Sequence, residues 1–454
     1  MNPNEAIRDA RKLGLPRMLV LGVQHLFAMF GATILVPILV QGYGLPLNIQ
    51  TTLFFAGVGT LFFHACSRFE IPAFLGSSFA FLGGYMSMAN MNEGMYATIS
   101  AEEKLAYAGG GIVVAGLMYL ILALIIKLVG VKTVMRFLPP VVTGPIIVCI
   151  GLTLAPSAVS NASTCWPLAL IALATIVIFN VWGKGMFKII PILMGVVVSY
   201  IAALIMNACG VTVTDANGVA QPLIDFTSVA QASMFGLPPI QMAKFDISAI
   251  LVMAPIALAT MMEHVGDMSA ISATVGKNFV ADPGLHRTII GDGLATTLSA
   301  MFGGPANTTY GENTGVLVLS KVYDPRVVRI AAVFAILLGF IPKMAGLIGS
   351  MPSAIVGGVS FILYGMISAI GVRNIVENKV DFTNSRNLII AAVILVCGLG
   401  FSGGLTFTVA GTPITLTSLA IAAIAGVILN AILPGNDYEF GSNPDGDKNR
   451  GVHT

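Results

Sequence analysis

The sequence has 454 residues, of which 56% are hydrophobic and 10% charged, and its mean hydropathy is +0.89. Soluble domains carry about a quarter charged residues, so this composition excludes an ordinary soluble protein and predicts many membrane crossings. The net charge of +2 does not indicate a nucleic-acid partner. The cysteines lack metal-ligand spacing, and we expect no metal and no organic cofactor; they are Cys66, Cys149, Cys165, Cys209 and Cys397.

Apolar stretches long enough to cross the ~30 Å hydrocarbon layer of a bilayer recur along the whole chain. Hydropathy and the breaks at Gly, Pro and charged residues predict fourteen spans, of which the third and tenth are the weakest. The spans lie near 17–41, 48–67, 72–90, 106–129, 136–156, 166–182, 188–208, 246–270, 285–302, 305–323, 326–347, 352–372, 387–401 and 412–434.

The basic residues are distributed unevenly between the two sides. Cytoplasmic loops should be rich in Lys and Arg, and with fourteen spans and a cytoplasmic N-terminus, all but three of the 23 basic residues fall on the cytoplasmic side. The three on the outer side are Lys104, Lys244 and Lys343. This asymmetry supports the count of fourteen and predicts that both termini are cytoplasmic.

A hydrophilic stretch at 209–245 divides the spans into two sets of seven. Two halves with an odd number of spans lie inverted in the membrane, and such repeats leave weak internal similarity. "LPPVVTGPIIVCIGL" in the fifth span resembles "MPSAIVGGVSFILYG" in the twelfth, with Pro139 and Gly144 matching Pro352 and Gly357. Recurrence of Pro and Gly by chance is the alternative explanation for this single pair.

The third and tenth spans share an unusual pattern. "IPAFLGSSFAFLGG" and "PANTTYGENTGVLVLSKV" each begin with a proline, Pro72 or Pro305, and reach Phe79 or Glu312 seven residues later. Small and hydroxyl residues between them predict a short extended segment followed by a half-helix whose N-terminus lies in mid-membrane. Paired interruptions in corresponding halves indicate a transporter's binding site; a surface loop and a short helix are the alternative.

Two carboxylates lie in the eighth span, within "MMEHVGDMSA". Glu263 and Asp267 are four residues apart and therefore share one helix face. A buried carboxylate is costly and usually faces a cavity, and two carboxylates on one face in a low dielectric rarely both ionise. The pair therefore predicts a proton carrier, with a structural helix-helix hydrogen bond as the alternative.

Three further polar residues fall inside predicted spans: His25, His264 and Asp292. His25 and Asp292 are candidates for proton coupling or for support of the site, and each of the three also fits a purely structural role. His64 and His286 lie at the ends of loops, where we expect them to be solvated.

These groups define a ligand by its chemistry. Phe79 offers a face for stacking, Glu263 and Glu312 offer acceptors, and the half-helix N-termini offer backbone donors. A small planar molecule with alternating N–H and C=O groups, such as uracil, fits this combination. Other polar solutes fit it as well.

At these residues the sequence resembles the nucleobase-ascorbate transporter family, also called nucleobase:cation symporter-2, and within it the bacterial uracil permeases. The resemblance extends over about 17–434 and is carried by "QHLFAMFGATILVP", "GSSFAF", "EHVG", "DPGLHR" and "NTTYGENTGV", with "ENTGVLVLSK" matching the family signature. It implies an all-α protein with inverted repeats, a core domain at 17–130 and 246–348, a gate domain at 136–208 and 352–434, and a cytoplasmic tail at 435–454.

The resemblance also implies roles for individual residues. Glu263 and Glu312 would contact uracil, Phe79 would stack on it, and the backbone at Gly311 and near Ala80 would donate hydrogen bonds. His25 and Asn313 would support the site. The family further implies proton-coupled import across the bacterial inner membrane by a homodimer.

One departure concerns Asp267, where the uracil permeases have a histidine. This difference leaves open whether Asp267 handles the proton and whether xanthine or another purine is carried. Two other classes stay as alternatives: an anion exchanger or channel on the same architecture, which should prefer a cation at its site, and an intramembrane aspartyl protease using Asp267 and Asp292. Neither aspartate follows a Gly-x-Gly sequence, which argues against the protease, and we expect no enzyme activity.

Overall fold

The computed structural model describes residues 6–214, 220–409 and 412–435, so the predicted tail at 435–454 lies almost wholly outside the described residues. The first half of the chain is helical apart from one short strand that interrupts it. Its elements are α1 (Leu15–Gly42), α2 (Ile49–Cys66), β1 (Leu75–Ser77), α3 (Leu82–Asn90), α4 (Ala101–Val129), α5 (Val131–Phe137), α6 (Pro140–Ser163), α7 (Trp166–Val181), α8 (Met186–Ile189) and α9 (Pro191–Ala208).

A connecting region holds β2 (Thr212–Thr214), β3 (Ala220–Pro222) and α10 (Thr227–Gln231). The second half repeats the order of long helices, strand with half-helix, and further helices. Its elements are α11 (Ile247–Met253), α12 (Ala257–Val275), α13 (Leu285–Met301), β4 (Asn307–Thr309), α14 (Gly311–Ser320), α15 (Pro325–Gly339), α16 (Pro342–Gly349), α17 (Ser353–Glu377), α18 (Ser385–Gly400), β5 (Leu405–Val409), β6 (Thr412–Leu416) and α19 (Ser418–Ile432).

The structure confirms an all-α membrane protein with extended segments in the third and tenth predicted spans, but it does not reproduce the count of fourteen. Among the described residues, seven helices are long and apolar enough to cross a bilayer, with α11 and α12 counted as one continuous helix, Ile247–Val275; the count is eight if α15 and α16 form one bent span. Three shorter apolar helices, α7, α18 and α19, correspond to further predicted spans. α13 and the half-helices α3 and α14 make up the rest.

Several predicted boundaries are wrong. The span at 326–347 is broken, because α15 and α16 meet at an angle of 86° just before Pro342, whose ring cannot continue a helix. The span at 412–434 begins as strand β6, which pairs with β5 in a hairpin, so its helix starts only at Ser418. The span at 136–156 begins four residues late and runs on to Ser163, since the separate helix α5 occupies its start.

The helices pack in two groups. In the first helix group, α2 packs against α13 and α15, α4 packs against α11 and α13, and α1 packs against α15. In the second helix group, α6 packs against α17 and α18, α7 packs against α9 and α17, and α18 packs against α19. α12 contacts α14 on one side and α6 and α19 on the other. The boundaries of the core and gate domains stay a prediction.

Strands β1 and β4 cross in the middle of the protein as an antiparallel pair, with Gly76 opposite Thr308. Both strands are wholly buried, so their backbone groups need partners other than water. A threonine from the preceding helix supplies them in each half: the Thr60 hydroxyl bonds the N–H and C=O of Leu75, and the Thr296 hydroxyl bonds those of Asn307. The two halves thus stabilise their extended segments in the same way.

Candidate functional site

A small cavity lies where the crossing strands meet α12 and the second helix group. Its volume is about 30 Å³, which is room for one or two water molecules. Four predicted site residues, Phe79, Glu263, Asp267 and Gly311, come together here from three separate parts of the sequence. The full lining consists of Phe79, Ile147, Glu263, Asp267, Thr308, Thr309, Tyr310, Gly311, Ile367 and Ile370.

The two carboxylates reach the cavity from the same side of α12, as their spacing of four residues predicts. Asp267 is buried and its Oδ2 accepts a hydrogen bond of 2.7 Å from the Thr309 hydroxyl. Thr309 is the last residue of β4. This bond joins the helix that carries both carboxylates to the strand that leads into α14.

Both half-helices begin close to the cavity. α14 starts at Gly311, and α3 starts at Leu82, three residues after Phe79. No described side chain caps the N-terminus of either helix. The first N–H groups of a helix have no intrahelical partner, and together with the helix dipole they form a site for carbonyl oxygens or anions.

Phe79 is buried, and its ring meets the ring of Tyr364 edge to face, with centroids 5.9 Å apart and an angle of 73° between the planes. Tyr364 belongs to α17, so the contact joins the segment between β1 and α3 to the second helix group. Ala80, the next residue after Phe79, is also buried, but its side chain does not line the cavity. Backbone donation near Ala80 stays a prediction.

His25 and Asn313 lie beside one another behind the cavity wall. The Asn313 side-chain amide donates a hydrogen bond of 3.0 Å to the carbonyl of His25, and its nitrogen lies 3.2 Å from the imidazole Nδ1. Both residues are buried. The contact fixes α14 to α1 two residues beyond Gly311, an arrangement compatible with the predicted supporting role of the two residues.

Asp292 lies outside the cavity. Its Oδ2 is 2.8 Å from Nδ1 of His264, and both side chains are completely buried between α12 and α13. The backbone of Glu312 is the second residue of α14, but its side chain is outside what the structure describes. The proposed contact between Glu312 and a ligand therefore stays a prediction.

The sequence did not predict the other residues that line the cavity. Thr308, Thr309 and Tyr310 stand within the quoted tenth-span segment, where their polarity was the available signal. Ile147 and Ile367 are ordinary aliphatic residues in long apolar helices, and no local pattern distinguishes them.

The prediction that His64 is solvated is wrong. His64 is completely buried in α2, and its Nε2 lies 2.8 Å from the carbonyl oxygen of Ala73. The helix runs two residues beyond His64, which places the imidazole against the segment that leads into β1. His286 is only partly buried.

A helical membrane protein whose paired half-helices meet at a polar cavity between two helix groups has the architecture of a transporter. Comparison with known proteins also indicates a transporter. The model described as "Permease family" matches residues 16–406. The chain therefore belongs to this permease family, the nucleobase:cation symporter-2 transporters.

The similar proteins include uracil permeases. The uracil permease of Bacillus caldolyticus is 40% identical over 447 residues, which cover 94% of each chain. The uracil permease of Bacillus subtilis (strain 168) is 39% identical over 431 residues, covering 91% of each chain. Among solved structures, the transmembrane domain of a cyanobacterium bicarbonate transporter, BicA, has a TM-score of 0.56 at 18% identity, covering 93% of this chain and 99% of that one. That similarity concerns the fold alone.

Proposed function

We propose that this protein is a secondary active symporter that imports uracil together with protons by alternating access. The observation that carries the proposal is the convergence of Phe79, Glu263, Asp267 and the start of α14 on one cavity. The uracil permeases, 40% and 39% identical over at least nine-tenths of the chain, support uracil as the substrate.

Uracil matches the chemistry of the cavity. Its ring N–H groups donate to carboxylates such as Glu263, and its carbonyl oxygens accept from the free N–H groups at the start of α14. Stacking on an aromatic ring such as Phe79 contributes about 1 to 3 kcal/mol per base. Glu312, at the second position of α14, would supply the second acceptor.

The paired carboxylates are the proposed carriers of the proton. An empty site with two ionised carboxylates is costly to enclose in a low dielectric. A proton taken up at Glu263 or Asp267 lowers that cost and favours closure around the substrate. Release of the proton on the other side then favours reopening there.

The first helix group would act as the core domain and the second as the gate. A cavity of about 30 Å³ cannot hold a nucleobase, so Ile147, Ile367 and Ile370 must withdraw from the α12 side for uracil to enter. Glycine suits this contact, because a Cβ on Gly311 would lie 3.3 Å from Ile370. Movement of the two groups about a fixed site is the physical form of alternating access.

The setting of the transporter is part of the proposal. The distribution of Lys and Arg supports cytoplasmic termini, and the family resemblance supports the inner membrane and a homodimer. An anion exchanger is the second candidate, since BicA shares the fold. Glu263 and Asp267 argue against it, because two acids that line the cavity would repel a bound anion.

Uptake of radiolabelled uracil into proteoliposomes tests the proposal. An inward proton gradient should drive uracil to a higher internal concentration than outside, and a protonophore should abolish this accumulation. Accumulation without a gradient would contradict proton coupling, and stronger competition by xanthine than by uracil would contradict the substrate. A bicarbonate gradient that drives exchange in the same vesicles would favour the anion exchanger.

A further inference from the structure

A second buried acid lies on the side of α12 that faces away from the cavity. Asp292 and His264 face each other at 2.8 Å with no exposed surface on either side chain. His264 is the residue after Glu263 and does not line the cavity. Its other ring nitrogen, Nε2, lies 3.0 Å from the Thr288 hydroxyl.

The hydrogen bonds of Thr288 determine where the protons lie. Its hydroxyl donates to the carbonyl of Leu285 at 2.9 Å, so the oxygen is left to accept, and Nε2 of His264 carries a hydrogen. The contact between Nδ1 and Oδ2 does not have the alignment of a regular hydrogen bond. A nitrogen and an oxygen 2.8 Å apart nevertheless need a further proton between them, since two lone pairs would repel. The pair therefore holds this one shared proton, whether it resides on Nδ1 or on Oδ2.

Either position of the shared proton gives a pair with zero net charge. The reverse arrangement, with Thr288 donating to Nε2 of His264, would put the imidazole hydrogen on Nδ1 beside an ionised Asp292, so the completely buried pair would carry a net negative charge. Asp292 Oδ1 has no hydrogen-bond donor among the described residues, and a buried ion without a counter-charge is strongly unfavourable. Adding a second proton would create an equally unfavourable buried cation.

Among the residues that the structure describes, no group around the pair supplies a compensating charge. α4 contributes Tyr119, whose hydroxyl donates to Thr260 at 2.6 Å. From α2, Phe63 packs edge to face on the His264 ring, with centroids 6.2 Å apart. Also in α2, His64 faces the Ala73 carbonyl, and Cys66 is a free thiol. The nearest acid on α12 itself is Glu263, which faces the cavity.

We propose that His264 and Asp292 form a neutral positioning pair that keeps its shared proton throughout transport. Asp292 is then not the coupling acid. The pair joins α12 to α13 and holds α12 at the rotation that points Glu263 and Asp267 into the cavity. This inference rests on the proposed function, and it assigns the transported proton to Glu263 and Asp267.

The Asp292→Asn substitution tests the proposal, because asparagine can donate to Nδ1 of His264 without any shared proton. We expect gradient-driven accumulation of uracil to persist, with the wild-type pH profile and a KM within about threefold of wild type. The matched variant Glu263→Gln should lose accumulation while it still exchanges internal for external uracil. Asp292→Ala should reduce the yield of folded protein, since it leaves His264 without a partner.

An Asp292→Asn variant that exchanges uracil but no longer accumulates it would overturn the proposal, because that behaviour defines a coupling acid. If this variant does not fold, the double variant His264→Asn with Asp292→Asn provides a neutral amide pair for the same assay. For the double variant, accumulation of uracil with the wild-type pH profile supports the proposal, and loss of accumulation with retained exchange overturns it. Wild-type protein in parallel vesicles tests the proposed function separately, since its failure to accumulate uracil would concern that function and not the pair.

Discussion

The hydroxyl of Thr309 donates a 2.7 Å hydrogen bond to Asp267 and so joins the tenth-span strand to the helix that carries both cavity carboxylates. Gly311, where α14 begins, is two residues further on. The bond therefore connects a candidate proton acceptor with the backbone that would donate to the substrate. We therefore expect a change in the protonation of Asp267 to alter this hydrogen bond to β4.

Replacing Thr309 by valine keeps the shape of the side chain and removes the donor. We expect uracil to bind about tenfold more weakly, since a buried acid that loses a donor costs on the order of 1.5 kcal/mol. The pH profile of uptake should also shift, because the carboxylate of Asp267 would lose the hydrogen bond from Thr309. Uracil binding to purified protein and uptake at several pH values measure the two effects.

Thr308 provides the matched control. It also lines the cavity, but its hydroxyl is buried without a hydrogen-bond partner among the described residues. Thr308→Val should therefore leave the pH profile unchanged. Equal profiles for Thr308→Val and Thr309→Val would show that the bond to Asp267 has no part in coupling.

Two larger cavities flank the central one, and each is lined by one half-helix. One, about 240 Å³, is bordered by Gly311, Gly315 and Leu319 of α14 and reaches Lys188. The other, about 530 Å³, is bordered by Gly83 of α3. Gly311, Ile367 and Ile370 line both the central cavity and the one that reaches Lys188, so the described conformation is closer to opening on the Lys188 side.

Cysteines in place of Gly83 and Gly315 should report from which side of the membrane each of the two larger cavities can be reached. A Cβ at either position meets no atom within 4 Å, so the substitutions fit without strain. In a background without the native cysteines, a charged thiol reagent should modify Gly315→Cys from the cytoplasmic side and Gly83→Cys from outside. Uracil in the site should slow the first reaction, which mass spectrometry of the labelled protein would measure.

A control for both cysteines is Val318→Cys. Val318 lies on α14 but is 53% exposed on the protein surface and lines neither cavity. In the membrane its neighbours would be lipid, so a charged reagent should react slowly. Modification of Gly315→Cys from the outer side at the same rate as from the cytoplasm would contradict the assignment of its cavity to the cytoplasmic side.

The sequence predicted those parts of the site that break the pattern of a membrane helix. Phe79, Glu263 and Gly311 stand in polar or interrupted segments, and such departures in an apolar chain are costly unless they are used. Ile147 and Ile367 could not be predicted, because they follow the ordinary apolar pattern and reach the site only through the packing of α6 on α17. The same limit applies to the bend between α15 and α16 and to the hairpin of β5 and β6, which depend on tertiary contacts.

The contact between α6 and α17 depends on glycines at close approach. A Cβ on Gly151 would lie 2.2 Å from the carbonyl oxygen of Tyr364, and a Cβ on Gly357 would lie 2.3 Å from the backbone nitrogen of Ala162. Gly151→Ala and Gly357→Ala should each destabilise the protein by about 1 to 3 kcal/mol through overpacking. Thermal unfolding in detergent, followed by size-exclusion chromatography, measures the loss.

Gly365 is the control on the same helix. Its added Cβ would meet nothing within 4 Å, and alanine favours a helix by up to about 1 kcal/mol over glycine. Gly365→Ala should therefore unfold at the wild-type temperature or slightly above it. A similar loss of stability in all three variants would mean that flexibility of these helices, and not close packing, requires the glycines.

The N-terminal segment is attached to the turn between α14 and α15. The N–H of Ile7 donates to the carbonyl of Lys321 at 2.9 Å, and the N–H of Ala10 donates to Asp324 at 2.6 Å. Asp324 is buried and also caps α15 through the N–H of Arg326. One carboxylate therefore holds the segment and the start of a helix together.

Asp324→Ala should release this segment and destabilise the protein by about 1 to 3 kcal/mol, because the N–H of Ala10 loses its acceptor and α15 loses its cap at the same time. Brief trypsin treatment of the purified protein should then cleave faster after Arg11 than in the wild type.

Asp9→Asn is the control variant, since Asp9 contacts Arg11 and Arg326 but is more exposed than Asp324. This substitution should change the rate of cleavage far less than Asp324→Ala does. The hydrogen bond from Arg11 lowers the pKa of Asp9 from its ordinary value of 3.8 to about 2. The contribution of Asp9 to stability is therefore complete above pH 3.8 and is lost only as the pH falls towards 2, so pH effects on uptake near neutrality should persist in Asp9→Asn. Their disappearance in that variant would show that the segment, and not the cavity carboxylates, is responsible for the pH dependence.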